Sequence, residues 1–512
     1  MAVFVIRRLL ASVLTLVVSS FLVFVLVANS GDPLSDLRTD TSVGREQKIA
    51  HRIEVLNLDQ PVPRRYLTWA GGVTRCVVPG QGCDLGRNIR DQEVSVLLTQ
   101  AAGSTLRLVS AALVLAVLLG VSVGVISSLR QYSGFDYTIT FAAFLFFSLP
   151  VFWVAVLLKQ YLAIEANNWY QDPRVGPFPA LVLAVLSGLT WGAIAGGTAR
   201  RRWIVRGASA AATFGLLSYL SAINWFRYPA LGPGLIIVFS LGAATGIAFL
   251  AEGLRRRQVL HSCLATAAVG SLGSFVVTPW LLDPKWASWT NLLLLLVLSL
   301  LLASGIGYAL GGVDKGEAVR ASLVTAVVTG FFIVLDIVLR TLPGYADLVG
   351  GRVFATIGAR TPNFEGTFWE QQLDTFTHLL LPTLSILLIS FATYSRYSRS
   401  TMLEVMNQDY IRTARAKGLT ERAVVLRHAF RNALIPVTTL AALDFGALIS
   451  GAVITEYVFG WQGMGNLFFS GLIQVDPNPV MAFYLVTALS VAAFNLLADI
   501  AYAYLDPRIR LS

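Results

Sequence analysis

Charge is scarce in this chain. Only 13% of its 512 residues are Asp, Glu, Lys or Arg, against the roughly one quarter typical of soluble domains. That shortage excludes an ordinary water-soluble protein. No G-x-x-x-x-G-K-[ST] phosphate loop occurs, and no hydrophilic stretch is large enough to house a nucleotide-binding domain. The chain is therefore not expected to be an enzyme, and any energy from ATP has to come from a partner. H-E-x-x-H is absent, and the four histidines, at 51, 261, 378 and 428, are too scattered to form a metal cluster. No aromatic-basic binding module is present, so the net charge of +10 does not point to nucleic acid. Inverted repeats with Gly- or Pro-broken spans in matching places, expected of an ion- or proton-driven carrier, are not found.

What is abundant is apolar sequence. Hydrophobic residues make up 55% of the chain and the mean hydropathy is +0.67, placing it among polytopic membrane proteins. Twelve runs are long enough to span: 9–28, 104–128, 137–162, 178–198, 203–223, 231–251, 260–282, 290–311, 318–339, 374–395, 433–455 and 480–504. Of these, 203–223 and 374–395 carry the most Ser, Thr and small residues. The N-terminal run has two Arg and then about 20 apolar residues, too long for a signal peptide and long enough to cross the bilayer. With the N-terminus inside, "ARRRWIVR" (199–206), "EGLRRRQ" (252–258) and "VDKGEAVR" (313–320) are cytoplasmic. The short opposite loops at 163–177, 224–230, 283–289 and 456–479 together hold three Arg or Lys, the asymmetry of the positive-inside rule. An even span count returns the C-terminus to the inside.

Two hydrophilic stretches then lie outside, about 29–103 and 340–374. The first contains Cys76 and Cys83 in "RCVVPGQGC". A Pro and two Gly between them permit a tight loop, and an exterior compartment permits a disulfide; two free thiols in a flexible loop are an equal alternative. Cys263 sits at a span and reads as packing.

Against this background "DYIRTARAKGLTERAVVLRHAFRNALIP", Asp409 to Pro436, stands out, with six Arg or Lys and two acids just before a span. Its apolar positions predict two short amphipathic helices meeting near Gly418, whose backbone tolerates the left-handed region. Pro436 falls where the chain re-enters the membrane. A basic loop held on anionic lipid explains the charge, at about 1 kcal/mol per residue, but it needs neither this length nor a glycine elbow. Docking into another protein's groove needs both.

These residues resemble the EAA-type loop of the dipeptide, oligopeptide and nickel permease family of ABC importers. The rest of that family's pattern follows in order: "RRLLASVLTLVVSSFLVFVLVANSGDP", "LNLDQPVPRRYLTW", "DLGRN", "SLPVFWVAVLL", "HLLLPTLSILLISFATYSRYSRSTMLEVMNQDYIRTARAKGL" and "NLLADIAYAYLDPRIR". The likeness covers about 300 residues, 1–162 and 373–512. It implies an all-α, MetI-like transmembrane domain of a type I importer in a prokaryotic cytoplasmic membrane. It also implies a loop that couples to a cytoplasmic ATPase. The matching positions are Arg412, Thr413 and Ala414 for the triplet, Gly418 for its glycine and Pro436 for its closing proline. Arg-Thr-Ala replaces Glu-Ala-Ala, as is common in the peptide-type branch. Arg412, Arg415, Lys417, Arg422 and Arg427 are the candidates for charge-assisted bonds to that partner. The resemblance further implies a homologous second permease, two ATPase subunits or domains and an extracytoplasmic solute-binding protein. No cofactor is expected on this chain. A structural or lipid-binding membrane protein without transport is the remaining alternative.

Residues 163–372, between the family's third and fourth spans, form an insertion with six predicted spans. Its even number keeps the loop cytoplasmic. A peripheral bundle for assembly or lipid contact and a regulatory or substrate-handling module are both readings of it. Within spans, ionisable residues are functional candidates. Asp444 faces either the translocation cavity or an interhelical partner, Asn495 and Asp499 share a packing face, and Asp336 lies near an interface with room to snorkel. "EYVFGWQGMGNLF" (456–468) resembles the family's external loop, with Gln462 where proline is usual; Gly463 and Gly465 are the candidates for an external gate.

Overall fold

The structure is a computed structural model describing residues 2–76, 82–195, 197–252 and 256–505. Among these residues no strand occurs; an isolated bridge between Arg87 and Glu93 is the only extended pairing. Two compact units divide the chain. The first holds Met1–Leu162, Thr356–Ala359 and His378–Ser512, and the second Ala163–Ala355 and Arg360–Thr377. The second unit thus reaches beyond the expected limit of 372 and returns 356–359 to the first. Gly358 N–H explains the return, donating to the Phe459 carbonyl at 2.8 Å.

Each of the twelve apolar runs is helical, but not all qualify as spans. Among the described residues, eight helices can cross a membrane by length and composition, and a bent pair makes up to nine. The helix Ala199–Ala222 begins with three arginines and Phe430–Gly451 carries Arg431 and Asp444. In Ala2–Ala28 the described apolar stretch is Val13–Ala28.

In the first unit the central element is the 36-residue helix Val94–Leu129. Its outer extension buries Val94, Leu98 and Ala101 against Met464, Ala482 and Phe483, while Leu108 and Ala112 pack on Ile386, Ala452 and Trp461. The run 137–162 is not one straight span. Helices Gly134–Ser148 and Val151–Gln171 meet at a bend of 103°, because Pro150 supplies no N–H and forces Leu149 into extended backbone (ψ 129°). The broken pair still connects both ends of the central helix. Asp136 accepts from Ser127 at one end, while Lys159 donates to the Val458 carbonyl at 3.2 Å beside the other end, where Thr105 bonds Glu456. From Thr105 to Ser127 the helix rises roughly 33 Å, about the hydrocarbon thickness. The pair therefore crosses.

The second unit is a bundle of Pro177–Ala195, Ala199–Ala222, Gly232–Glu252, Arg257–Leu282, Trp289–Leu310 and Lys315–Leu348. Small residues form one core, with Ala244, Ala248, Cys263, Ala267 and Ala318 all buried, the packing that membrane helices use for close approach. Asp336 does not snorkel. It is 1% exposed and accepts from the N–H groups of Leu231 and Gly232 at 2.8 and 2.9 Å, and from Arg340 at 2.8 Å. Its charge thereby satisfies donors at the start of the Gly232–Glu252 helix, which a polar group in a dry interior must do.

Candidate functional site

The basic loop builds a rigid elbow at one end of the first unit. Helix Asp409–Ala416 places Ile411 and Ala414 on one face, three residues apart. Both are buried with Met402, Val424, Val425 and Ala429. Gly418 ends the helix in left-handed backbone, φ +73°. Its N–H donates to Arg415 O at 2.9 Å and the Leu419 N–H to Ala414 O at 3.4 Å, the paired bonds of a Schellman motif. Thr420 then caps the next helix, accepting from the Ala423 N–H. Across the turn Arg415 grips Glu421 with two bonds, 3.2 and 2.7 Å. The Arg415 guanidinium holds the Glu421 carboxyl below its usual range. The Asn432 amide donates to Tyr410 OH at 2.9 Å, tying the first helix to the next.

Two features differ from the sequence expectation. The second helix is not a short separate piece: from Glu421 the chain runs through a π-helical stretch, Val424–Ala429, straight into Phe430–Gly451. Pro436 lies inside that helix rather than at its entry. The π-helical stretch ends at Ala429, seven residues before the proline. The outward face carries Arg412, Thr413, Lys417, Leu419, Arg422, Leu426 and Arg427, all exposed. Arg412 contacts Asp409 at 3.4 Å.

Just beneath the elbow lies a partly buried ion pair that sequence reasoning missed. Arg399 forks onto Asp136 with bonds of 2.8 and 2.9 Å, and the same carboxylate accepts from Ser127 OH and the Tyr132 N–H. Three helices meet on this one charge. The signals were an acid in the first turn of a span and an arginine late in a long helix, but nothing local pairs positions 263 residues apart.

At the other end, Glu456 organises the turn expected to be external. It is fully buried, and its carboxylate accepts from Thr105 OH at 2.6 Å and from the N–H groups of Gly465 and Asn466 at 2.7 and 3.2 Å. Burial pushes its carboxyl up, and these donors oppose the shift. Thr105 also accepts from the Met464 N–H at 2.8 Å. A Cβ at Gly463 would sit 2.3 Å from Glu456 Oε1, and one at Gly465 would sit 2.5 Å from Val453 Cα. Both glycines are therefore required by close approach. Gln462, at the position of the usual proline, is exposed.

Of the remaining candidates, Asp444 accepts from Tyr394 OH at 2.7 Å across two helices. Cys76 and Cys83 are bonded, with S–S 2.04 Å, and Cys263 is buried. The Asp499 side chain and the closing segment 506–512 lie outside the described residues. Among the described residues no group of three His, Cys, Asp or Glu is placed to hold a metal ion.

A helical chain with several candidate membrane spans, an elbow backed by buried apolar residues and a tied turn at the opposite end has the build of a transport permease. Comparison with known proteins narrows the class. Residues 321–511 match the family model of the binding-protein-dependent transport system inner membrane component. Over 229 residues the chain is 38% identical to the oligopeptide transport system permease protein AppB of Bacillus subtilis, covering 43% of this chain and 69% of that protein. It is 44% identical over 164 residues to the oligopeptide transport system permease protein OppB of Mycobacterium tuberculosis, covering 32% and 50%. The dipeptide transport system permease protein DppB of Escherichia coli K12 is 43% identical over 138 residues, covering 27% and 41%. The chain thus spans about half the length of the mycobacterial relative. It belongs to the DppB/OppB family of peptide ABC-transporter permeases, with a MetI-like, type I importer domain.

Proposed function

We propose that this chain is one permease subunit of an importer that carries peptides or a similar small solute across a prokaryotic cytoplasmic membrane, both termini facing the cytoplasm. Its partners are a homologous second permease, two ATPase subunits or domains and an extracytoplasmic solute-binding protein. ATP is bound and hydrolysed by the ATPases; this chain holds no cofactor. The mechanism is alternating access, in which closure of the ATPases pushes on the elbow and opens the pathway outward.

The observation that carries this reading is the preorganised elbow. A lever transmits force only if it does not bend under load. Here the Schellman turn, the Arg415–Glu421 fork and a fully buried apolar underside leave the turn few alternative conformations. The outward face pairs exposed Leu419 and Leu426 with cations, the mixture that fits a cleft bearing apolar floors and acidic rims. A loop that merely rests on anionic lipid gains nothing from this rigidity. The test is co-purification of the full chain with its ATPase, before and after deleting residues 410–431. Loss of the ATPase with retained membrane insertion is expected; retention of the ATPase by the deleted chain overturns the docking role.

A further inference from the structure

The carboxylate of Asp136 draws a full set of partners from the first unit. One oxygen accepts from Ser127 OH and Arg399 Nε, the other from Arg399 Nη2 at 2.9 Å and the Tyr132 N–H at 3.1 Å, which fills the roughly four acceptor positions of a carboxylate. Ser127 lies on the central helix, Tyr132 in the loop that follows it, and Arg399 on Phe368–Met406. Tyr132 sits at φ +60°, left-handed backbone that an aromatic residue enters only where its surroundings compel it. The loop is shaped around this one acid.

The helices that the fork joins show what it prevents. The central helix and Phe368–Met406 cross at glycines: a Cβ at Gly120 would lie 2.6 Å from Tyr394 Cβ, and one at Gly124 2.5 Å from Ser395 O. Close approach over small residues one turn apart makes a smooth contact, with no side chain on either glycine to stop one helix sliding along the other. Arg399, one turn beyond Ser395, fixes the register. The elbow hangs from the same end. Met402 is fully buried in the elbow's underside with Ile411 and Ala414, and Val125 of the central helix packs against that cluster. A push on the elbow therefore arrives at Met402 and Val125, and both lie within one helical turn of the fork.

We propose that Asp136 and Arg399 are positioning residues for transport: their fork locks the central helix to Phe368–Met406, so that a displacement of the elbow moves the two helices as one body. This role rests on the importer reading and deepens it, naming where the push of the ATPases enters the pathway wall. Coupling between distant sites travels through packed and hydrogen-bonded contacts. A fork resists rotation as well as sliding, because two parallel bonds fix the plane of the guanidinium and not only its distance. A lysine, a point charge on a flexible stem, leaves that rotation free. Ser127 completes the lock by bringing the central helix onto the same oxygen that Arg399 Nε holds.

The experiment uses the complete transporter in lipid nanodiscs with a Gln462→Cys reporter, at an exposed position in the turn opposite the elbow. Its rate of reaction with a maleimide is read with and without ATP and vanadate. With the native fork, nucleotide is expected to change that rate at least about fivefold, the low end of coupling between distant sites. Asp136→Leu combined with Arg399→Met removes both charges together; this variant is expected to stay folded and keep the ATPase while losing the nucleotide response. A fork that only stabilises the fold predicts the opposite, a response restored along with stability. Arg399→Lys keeps the charge and spares folding, and is expected to respond less than the native chain. A full response in either variant overturns the relay, as does a native chain whose turn ignores nucleotide. Intact ATPase co-purification alongside such a result leaves the importer reading standing, so the two failures are distinguishable.

Discussion

Gly418 shows what a single residue contributes. Its φ of +73° lies where a Cβ costs about 1–2 kcal/mol, yet a Cβ built there meets nothing within 4 Å. Within this chain the constraint is backbone strain, not crowding. Gly418→Ala and Gly418→Leu are therefore expected to impair ATP-driven uptake to a similar degree, and Gly418→Asn less, because Asn enters left-handed backbone more readily. Uptake and ATP hydrolysis measured on all three variants check this. A wild-type Ala variant beside an inactive Leu variant would shift the cause to the size of the partner's cleft. Gly463 and Gly465 are the opposite case. There the neighbours are Glu456 and the Val453 backbone, and space, not φ, demands glycine.

At the scale of elements, the elbow is only as firm as its mounting. The Asp136–Arg399 fork joins the broken span, the end of the central helix and the helix Phe368–Met406 a few residues before the elbow begins. Removing Arg399 leaves the buried Asp136 carboxylate without its forked cationic partner, whereas removing Asp136 leaves a guanidinium that solvent already reaches. Arg399→Ala is expected to lower the thermal stability of the solubilised protein more than Asp136→Ala, because only the carboxylate is buried. The double variant Asp136→Leu with Arg399→Met should recover most of the loss, since two apolar groups leave no charge to satisfy. A double variant as unstable as the sum of the singles would show that the helices are held together by other contacts. The Arg415–Glu421 fork is different. It is exposed, and surface pairs contribute about 0–1 kcal/mol, so its role is to limit the turn's conformations.

For the whole molecule the open quantity is parity, the number of crossings before the elbow. The helix Ala199–Ala222 decides it, because it lies outside the set of clearly apolar spans. If all six inserted helices cross, a cysteine at Arg202 or Lys417 reacts with a membrane-impermeant maleimide only after permeabilisation. One at Tyr228 or Lys285 then reacts in intact cells. Labelling of Tyr228→Cys from the same side as Arg202→Cys would remove a crossing and send the elbow to the wrong side unless a second helix also fails to cross. The native disulfide and the buried Cys263 leave the background quiet.

Some of this was legible without coordinates. Long apolar runs, loop charge and the Arg-Thr-Ala…Gly418 pattern are local properties, and each acts through neighbours within a few residues. They were enough for the helical class and for the glycine turn at Gly418. Other features depend on which distant segments meet, and periodicity carries no information about that. The Asp136–Arg399 fork, the Glu456 anchor of the opposite turn and Asp336 at the start of another helix all belong to this second kind. So does the helix that continues through Pro436. Hydrophobic pattern dictates which segments leave water; only packing decides which buried charge finds its partner, because that energy exists only once the two groups are in contact.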